Sequence, residues 1–384
     1  MKTIEKENKY VASTYKRFPL EIVSGKGSIA VDSEGKEYID LASGIAVNTF
    51  GYSDEAWTAA VTAQLTKLQH TSNLYYTDPC TDLAELLCEK TGMKRVFFSN
   101  SGAEANECAI KAARKYAENK GKSTTILTLV NSFHGRTLTT LAATGQATFH
   151  KDFLPLTNGF VYAPANDIDA LVEAFNANKP CAVMFEVVQG EGGVNPLSYE
   201  YVKKIEELCL EGDALMICDE VQIGNGRSGK LYGYMHYGIK PDVVTTAKGL
   251  GGGLPIGATM LSEKVENIFT YGSHGSTFGG NPVCCAGALN IISRLDDNML
   301  ESVSKKNHII CRTLEGAEGI ESVTGLGLML GIKTKKPAAE VVAKCMENGV
   351  LVITAKDKVR LLPPLNIPVE QLIKALDVII AACK

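Results

Sequence analysis

The sequence is short of most features that would place a protein in a specialised class. Its 384 residues hold no long hydrophobic run. The stretches Ala182–Val188 and Leu215–Cys218 are strand-sized, far below the ~20 residues that span a bilayer, so no membrane partner is expected. There is no basic surplus: 39 Lys and Arg stand against 43 Asp and Glu, a net charge of −4. A phosphate backbone finds no electrostatic partner in that balance, and nucleic acid is not an expected ligand. None of the six histidines pairs at metal spacing, and no C-x-x-C occurs among eleven scattered cysteines, which include the adjacent Cys284 and Cys285. Neither a metal site nor a disulfide framework is expected, and a reduced cytoplasm is the natural compartment. The opening Met-Lys-Thr-Ile-Glu-Lys-Glu-Asn-Lys-Tyr is too charged for a signal peptide. What remains is ordinary globular composition, 45% hydrophobic and 21% charged, enough for a real core. The length suggests two or three structural units.

Punctuation along the chain divides it into three parts. Residues 1–50 show short polar–apolar alternation around Gly25-Lys-Gly27 and Asp32-Ser-Glu-Gly35, which predicts small strands joined by turns. Residues 286–384 carry helical stretches at Met299–Leu314 and Val369–Cys383 around a strand-like Gly327-Leu-Met-Leu-Gly331. These two ends are expected to form one small α+β domain. The middle, 51–285, alternates short apolar runs with helical stretches. The runs, with the residues that close them, fall in Arg95–Gly102, Thr125–Val130, Ala182–Val188, Ala214–Asp219 and Asp242–Lys248. Near-continuous apolar strands alternating with helices predict an α/β domain, a mostly parallel sheet covered by helices on both faces. Ligands bind beyond the carboxyl ends of such strands. The polar residues following the runs are therefore expected to converge: Ser101–Ala103, Phe133–Arg136, Glu186–Glu191, Asp219–Gln222 and Lys248.

That set has a chemistry. Lys248 follows a buried strand and precedes Gly-Leu-Gly-Gly-Gly-Leu-Pro; a partly desolvated lysine there sheds its charge readily and can form a Schiff base. In isolation it fits a solvated strand-end lysine as well. Asp219 ends another apolar strand, where a carboxylate needs a cationic or hydrogen-bonding partner. A protonated ring nitrogen would serve, and so would an ordinary cap or ion pair. Ser101 is placed to cap a helix running to about Tyr116, leaving the amides of Gly102 and Ala103 open to an anion. Phe133 can stack on a flat ring, and Arg136 can hold a carboxylate through two hydrogen bonds. Two tempting motifs do not qualify. Gly224-Asn-Gly-Arg-Ser-Gly229 fits G-x-G-x-x-G, but Leu231 stands where a P-loop needs Ser or Thr, and no helix start follows. Thr354-Ala-Lys356 echoes Thr246-Ala-Lys248 without the glycine bed.

Together these residues resemble the class III, fold-type I, pyridoxal-phosphate-dependent aminotransferases, nearly from end to end. The most specific piece is Cys218-Asp-Glu-Val-Gln222 with Lys248 placed 26 residues after Gln222. Asn100-Ser-Gly-Ala-Glu-Ala-Asn106, Phe133-His-Gly-Arg136, Ser276-Thr-Phe-Gly-Gly-Asn-Pro282 and Arg360-Leu-Leu-Pro-Pro-Leu365 add to it. The resemblance implies pyridoxal 5′-phosphate as cofactor, bonded by Lys248, which also moves the substrate proton. Asp219 would hold the ring nitrogen, Gln222 the phenolic oxygen, and Phe133 with Val221 the two ring faces. Ser101, Gly102 and Ala103 would hold the phosphate, and Thr277 would complete that cradle from a partner subunit, implying a homodimer with shared active sites.

For the substrate, the resemblance implies Tyr15, Arg136 and Ser276 around one carboxylate, and Arg360 for a second. Glu191 would neutralise Arg360 whenever a substrate brings only one carboxylate. Within the class, the segments Asp40–Asn48 and His70–Tyr76 resemble the branch acting on N2-acetylornithine and 2-oxoglutarate, a step of arginine biosynthesis. Gly44 matters here: ornithine-specific relatives carry a tyrosine that contacts a free α-amino group, whereas glycine leaves room for an acyl group. Other ω-aminotransferases, for 4-aminobutyrate or succinylornithine, are the nearest alternatives, and an aminomutase is a more distant one. The chain departs from the common pattern at Gly51-Tyr-Ser-Asp-Glu55, Val187, Ile223 and Lys356.

Overall fold

The computed structural model describes residues 3–384; the first two residues of the expected N-terminal segment lie outside it. Its centre is a seven-stranded sheet built from β1 (Arg95–Ser99), β2 (Ile126–Leu129), β3 (Phe160–Ala163), β4 (Ala182–Phe185), β5 (Leu215–Asp219), β6 (Val243–Thr246) and β7 (Gly257–Leu261). The order across the sheet is β1-β7-β6-β5-β4-β2-β3. β6, β5, β4, β2 and β3 pair in parallel, while β7 runs antiparallel to both β6 and β1. This is the mostly parallel sheet expected from the sequence. β2, β4, β5, β6 and β7 are buried at every position. Both faces are thus covered, which is why these strands are continuous apolar runs rather than alternating ones.

The five runs identified in the sequence are β1, β2, β4, β5 and β6; β3 and β7 escaped that pattern. The run Ala182–Val188 is also shorter as a strand than its composition suggests. β4 stops at Phe185, Glu186 turns the chain, and Val188–Gln189 pairs instead with Asn195–Pro196.

A second layer comes from both ends of the chain. The strands Ile22–Lys26, Ile29–Asp32 and Glu37–Asp40 form an antiparallel meander, and Val350–Leu351 joins it parallel to Glu37–Asp40. Beside it lies an antiparallel sheet in the order Ile320–Leu326, Met329–Thr334, Lys358–Leu361, Ile353–Ala355. The helices Asp297–Leu314 and Val369–Cys383 accompany these sheets. One helix, Pro282–Ser293, runs through residue 285 and packs on Glu55–Lys67 and Asp78–Thr91. Among the described residues, no helix is long and apolar enough to cross a membrane.

Candidate active site

The carboxyl ends of β1, β5 and β6 open into one cavity of about 440 Å³. Ser101, Gly102, Ala103, Phe133, Arg136, Asp219, Val221, Gln222 and Lys248 all line it. Residues separated by up to 147 positions therefore meet because each directly follows a strand of one sheet.

After β1 the chain turns into the helix Gly102–Glu118. Ser101 is its N-cap, accepting from the Glu104 amide at 3.2 Å, while the Glu104 carboxylate reaches back to the Asn100 amide at 2.8 Å. The amides of Gly102 and Ala103 lie in the first turn, where no intrahelical acceptor exists. Side chains are excluded around them. A Cβ on Gly102 would lie 2.6 Å from Val221 Cγ1, and one on Gly135 would lie 2.8 Å from the Ala103 Cβ. The helix N-terminus is thus a bare, positively polarised cradle fitted to an anion.

Asp219, at the end of β5, is 4% exposed. Its Oδ2 accepts from Asn106 Nδ2 at 2.8 Å and from His134 Nδ1 at 2.7 Å, and its Oδ1 accepts from the Val221 amide at 3.0 Å. Oδ2 is thereby saturated, and the remaining acceptor capacity lies on Oδ1. Asn106 is held in turn by Thr245 Oγ1 and by the His134 carbonyl. Sequence patterns gave no role to Asn106 or His134; both lie inside motifs quoted above, but a support beneath a carboxylate leaves no periodic signal.

Glu186 lines the same cavity. Its two oxygens accept from the Phe133 amide at 2.9 Å and the Gly190 amide at 3.2 Å, tying the two loops together. Burial, with Asp219 adding and His134 opposing, pushes its carboxyl up to about 7. Burial also pushes the neighbouring Glu220 up to about 8, against the hydrogen bonds it accepts from Gly233 and Tyr234.

Lys248 follows β6 by two residues. Its Nζ makes no hydrogen bond among the described residues. Burial holds its ammonium below the usual lysine value, with Arg360 acting in the same direction and Glu191, Asp219 and Glu186 opposing. A neutral amine is therefore more accessible here than on a surface lysine.

Arg360 and Glu191 reach this cavity through Gln222. Arg360 Nη1 meets Glu191 Oε1 at 2.5 Å and Gln222 Oε1 at 3.0 Å, while Gln222 Nε2 donates to Glu191 Oε1 at 3.3 Å. Arg136 is exposed at the rim, its guanidinium 3.9 Å from the centroid of the Phe149 ring. Ser276 sits one residue back from the cavity: its Oγ accepts from Asn100 Nδ2 at 3.1 Å. Thr277 is exposed and does not line the cavity of this chain. Tyr15, 74% exposed, lies apart from it as well.

The sequence matches the family Aminotransferase class-III over residues 10–383. The chain belongs to the class III aminotransferases. It is 49% identical over 374 residues to the acetylornithine aminotransferase of Haemophilus ducreyi, covering 96% of this chain and 95% of that one. It is 46% identical to the acetylornithine aminotransferase of Caldanaerobacter subterraneus subsp. tengcongensis, with 97% of each chain covered. Among solved structures, the N-acetylornithine aminotransferase of Stenotrophomonas maltophilia superposes with a TM-score of 0.86 at 36% identity, covering 99% of this chain and 98% of that one. The ornithine aminotransferase of Toxoplasma gondii superposes at 0.94 with 32% identity, covering 99% and 93%. The backbone therefore serves both substrate classes, as expected when function lies in the site rather than the fold.

The aminotransferase depends on pyridoxal 5′-phosphate, the group found at the active site of the Toxoplasma structure. The cavity fits it on three counts. It has a bare helix N-terminus for a phosphate, a buried carboxylate with an unfilled acceptor for a ring nitrogen, and an unpartnered amine for an aldehyde.

Proposed function

We propose that the enzyme moves the δ-amino group of N2-acetylornithine to 2-oxoglutarate, giving N-acetylglutamate 5-semialdehyde and glutamate, and runs in reverse when arginine is built. The Arg360–Glu191 pair at the cavity carries this proposal. N2-acetylornithine brings one carboxylate, whereas 2-oxoglutarate and glutamate bring two. A buried arginine left without a partner in the first case would be costly. Glu191 supplies that partner and yields it to the second carboxylate of a dicarboxylic substrate.

The family resemblance and the shared cavity support the remaining roles. The Gly102 and Ala103 amides with Ser101 would hold the cofactor phosphate, Val221 and Phe133 its ring, Gln222 its phenolic oxygen, and Asp219 its nitrogen. Bound pyridoxal phosphate supplies an aldehyde that takes up the amino group and a ring that withdraws the charge left on carbon. Lys248 would hold that aldehyde, and its Nζ, when free of it, would carry the proton of the amine-bearing carbon. Its depressed basicity suits a base working near neutral pH. Arg136 anchors the carboxylate common to both substrates, with Ser276 one residue behind the cavity wall; Tyr15, which lies apart, takes no part in this reading. Gly44 lies in a left-handed turn, Ser43–Ala46, leading to Val47 on the cavity wall; without a side chain it leaves space for the acetyl group.

The enzyme works as a cytoplasmic homodimer in this proposal. Leu74, Tyr75 and Tyr76 are 85, 70 and 99% exposed. Asn73 ties their segment to the carbonyls of Ser276 and Gly279, next to Thr277 and the exposed Phe278. An apolar surface of this kind suits a second copy, to which Thr277 would be delivered. The deciding experiment compares kcat/KM for N2-acetylornithine, N-succinylornithine, ornithine and 4-aminobutyrate, each with 2-oxoglutarate. N2-acetylornithine should lead by about tenfold or more. A preference for 4-aminobutyrate would sink the proposal, and Gly44→Tyr should move preference towards ornithine.

A further inference from the structure

Lys248 is not a glycine, yet its φ is +46°, in the left-handed region. An L-residue there is strained and stays only where its surroundings over-determine it. Two turn hydrogen bonds, from the Leu250 amide to Ala247 O at 2.9 Å and from the Gly251 amide to Lys248 O at 3.0 Å, close the backbone around it, and two buried side chains hold the neighbours. The carbonyl of the residue before it, Ala247 O, accepts from Asn225 Nδ2 at 3.1 Å, and that of the residue after it, Gly249 O, accepts from Thr49 Oγ1 at 2.7 Å. Asn225 is further fixed by Thr246 Oγ1 at 2.9 Å. Thr49 and Asn225 are 1% and 2% exposed, so water does not replace either bond.

Both clamps continue to the same distant segment. The Thr49 carbonyl accepts from the Leu365 amide at 2.8 Å. Arg227, two residues after Asn225, donates through Nη1 to the carbonyls of Pro363 and Leu328, and its own carbonyl accepts from the Leu328 amide at 2.8 Å. Pro363 and Leu365 stand three and five residues after Arg360. The Gly224–Gly229 loop, shaped like a nucleotide motif, thus joins the lysine strand to the arginine strand.

We propose that Thr49 and Asn225 are positioning residues that clamp the carbonyls of the residues on either side of Lys248, Gly249 and Ala247, and register its amine against Arg360. The inference rests on Lys248 being the cofactor-bonding lysine. If so, loosening either clamp misdirects Nζ without touching the substrate carboxylate sites, and both half-reactions slow together.

The test uses the holoenzyme and three variants: Thr49→Val, Thr49→Ser and Asn225→Gly, the last compatible with the φ of +56° at that residue. Thr49→Val and Asn225→Gly should each lower the single-turnover rate constants of both half-reactions by roughly 10- to 100-fold, while both substrates keep their apparent affinities. The pH midpoint of the visible band of the lysine-bound cofactor should move. Thr49→Ser, which keeps the hydroxyl, should restore both rates and the midpoint. Wild-type rates and midpoint in Thr49→Val, with lowered thermal stability as the only change, would overturn the inference and leave the proposed activity standing. So would a Thr49→Ser variant no better than Thr49→Val. A visible band that survives in Lys248→Ala would overturn the inference together with the assignment beneath it.

Discussion

Two arginine–carboxylate pairs in this enzyme look alike in outline and differ in finish. Arg294 and Asp54 meet through two parallel hydrogen bonds, 2.6 Å and 2.9 Å, and Arg294 also reaches Asn290 Oδ1 at 3.0 Å and lies 4.0 Å from the Phe50 ring centroid. Asp54 in addition caps the helix Glu55–Lys67 through the Trp57 amide. Both carboxylate oxygens and both terminal guanidinium nitrogens have partners, as in a pair that locks an element in place. Arg360 and Glu191 meet closely at only one point; the second contact is 3.4 Å, and Arg360 Nε is buried with no partner among the described residues. The more deeply buried arginine is the less completely satisfied one. Nothing in folding favours that arrangement, because a half-satisfied buried network costs stability. It suits a cation whose partner must be exchanged during turnover.

The sharpest way to break the comparison is to remove each arginine's role in turn. Arg360→Leu should lower kcat/KM for the 2-oxoglutarate half-reaction by roughly 10³-fold, about 4 kcal/mol, while the N2-acetylornithine half-reaction loses far less. Stopped-flow measurement of the separate half-reactions reads this directly. Equal losses in both would mean that Arg360 is a structural residue like Arg294. Glu191→Gln is milder, since the amide still accepts from Arg360. The ratio of kcat/KM for 2-oxoglutarate to that for N2-acetylornithine should rise by about tenfold. An unchanged ratio would refute exchange of partners.

How far the sequence foretold this site depends on what each residue bonds to. Lys248, Asp219 and Gln222 were legible because fully buried parallel strands are unbroken apolar runs, and the rule for their carboxyl ends locates whatever follows; the Gly102–Ala103 turn was legible instead from a helix-capping Ser101 after the apolar run of β1. β3 was missed as a four-residue edge strand with only Ala163 buried. β7 was missed because it follows directly on a glycine- and proline-rich bed and runs against its neighbours. Thr49 and Asn225 were invisible for another reason: their partners are backbone carbonyls, which no side-chain pattern displays. Glu186 was named among the converging residues but without a role, since the Phe133 and Gly190 amides it bonds show in no side-chain pattern. Tyr15 shows the opposite limit, since a motif position does not by itself fix where an exposed N-terminal segment lies.

On the structural side of the comparison the effects are smaller and fall on stability. Asp54→Asn keeps an N-cap acceptor but removes the charge, so it isolates the ion pair. The pair is part-exposed, and its loss should cost about 1 kcal/mol in equilibrium denaturation. Rates with both substrates should stay within about twofold of wild type, since surface-side ion pairs carry so little. A kinetic defect in this variant would erase the distinction between the two pairs.

The smallest expected effect is an absence of pH dependence. Burial pushes the Glu191 carboxyl up, but the charge and hydrogen bond of Arg360, helped by Lys248, outweigh it and leave the group below its ordinary value. A depressed carboxyl favours the paired state at every pH above the ordinary carboxylate range and loses its partner only as pH falls through the lowered value. Between pH 6 and 9, protonation of Glu191 therefore never opens the pair; only an incoming carboxylate does. The ratio of kcat/KM for the two substrates should accordingly stay flat across that range, even as both absolute rates rise and fall with Lys248. If the ratio instead swings with a midpoint near neutrality, the group that gates Arg360 is a different one. Glu186, raised to about 7 and bonded to the Gly190 amide next to Glu191, is the residue to mutate next.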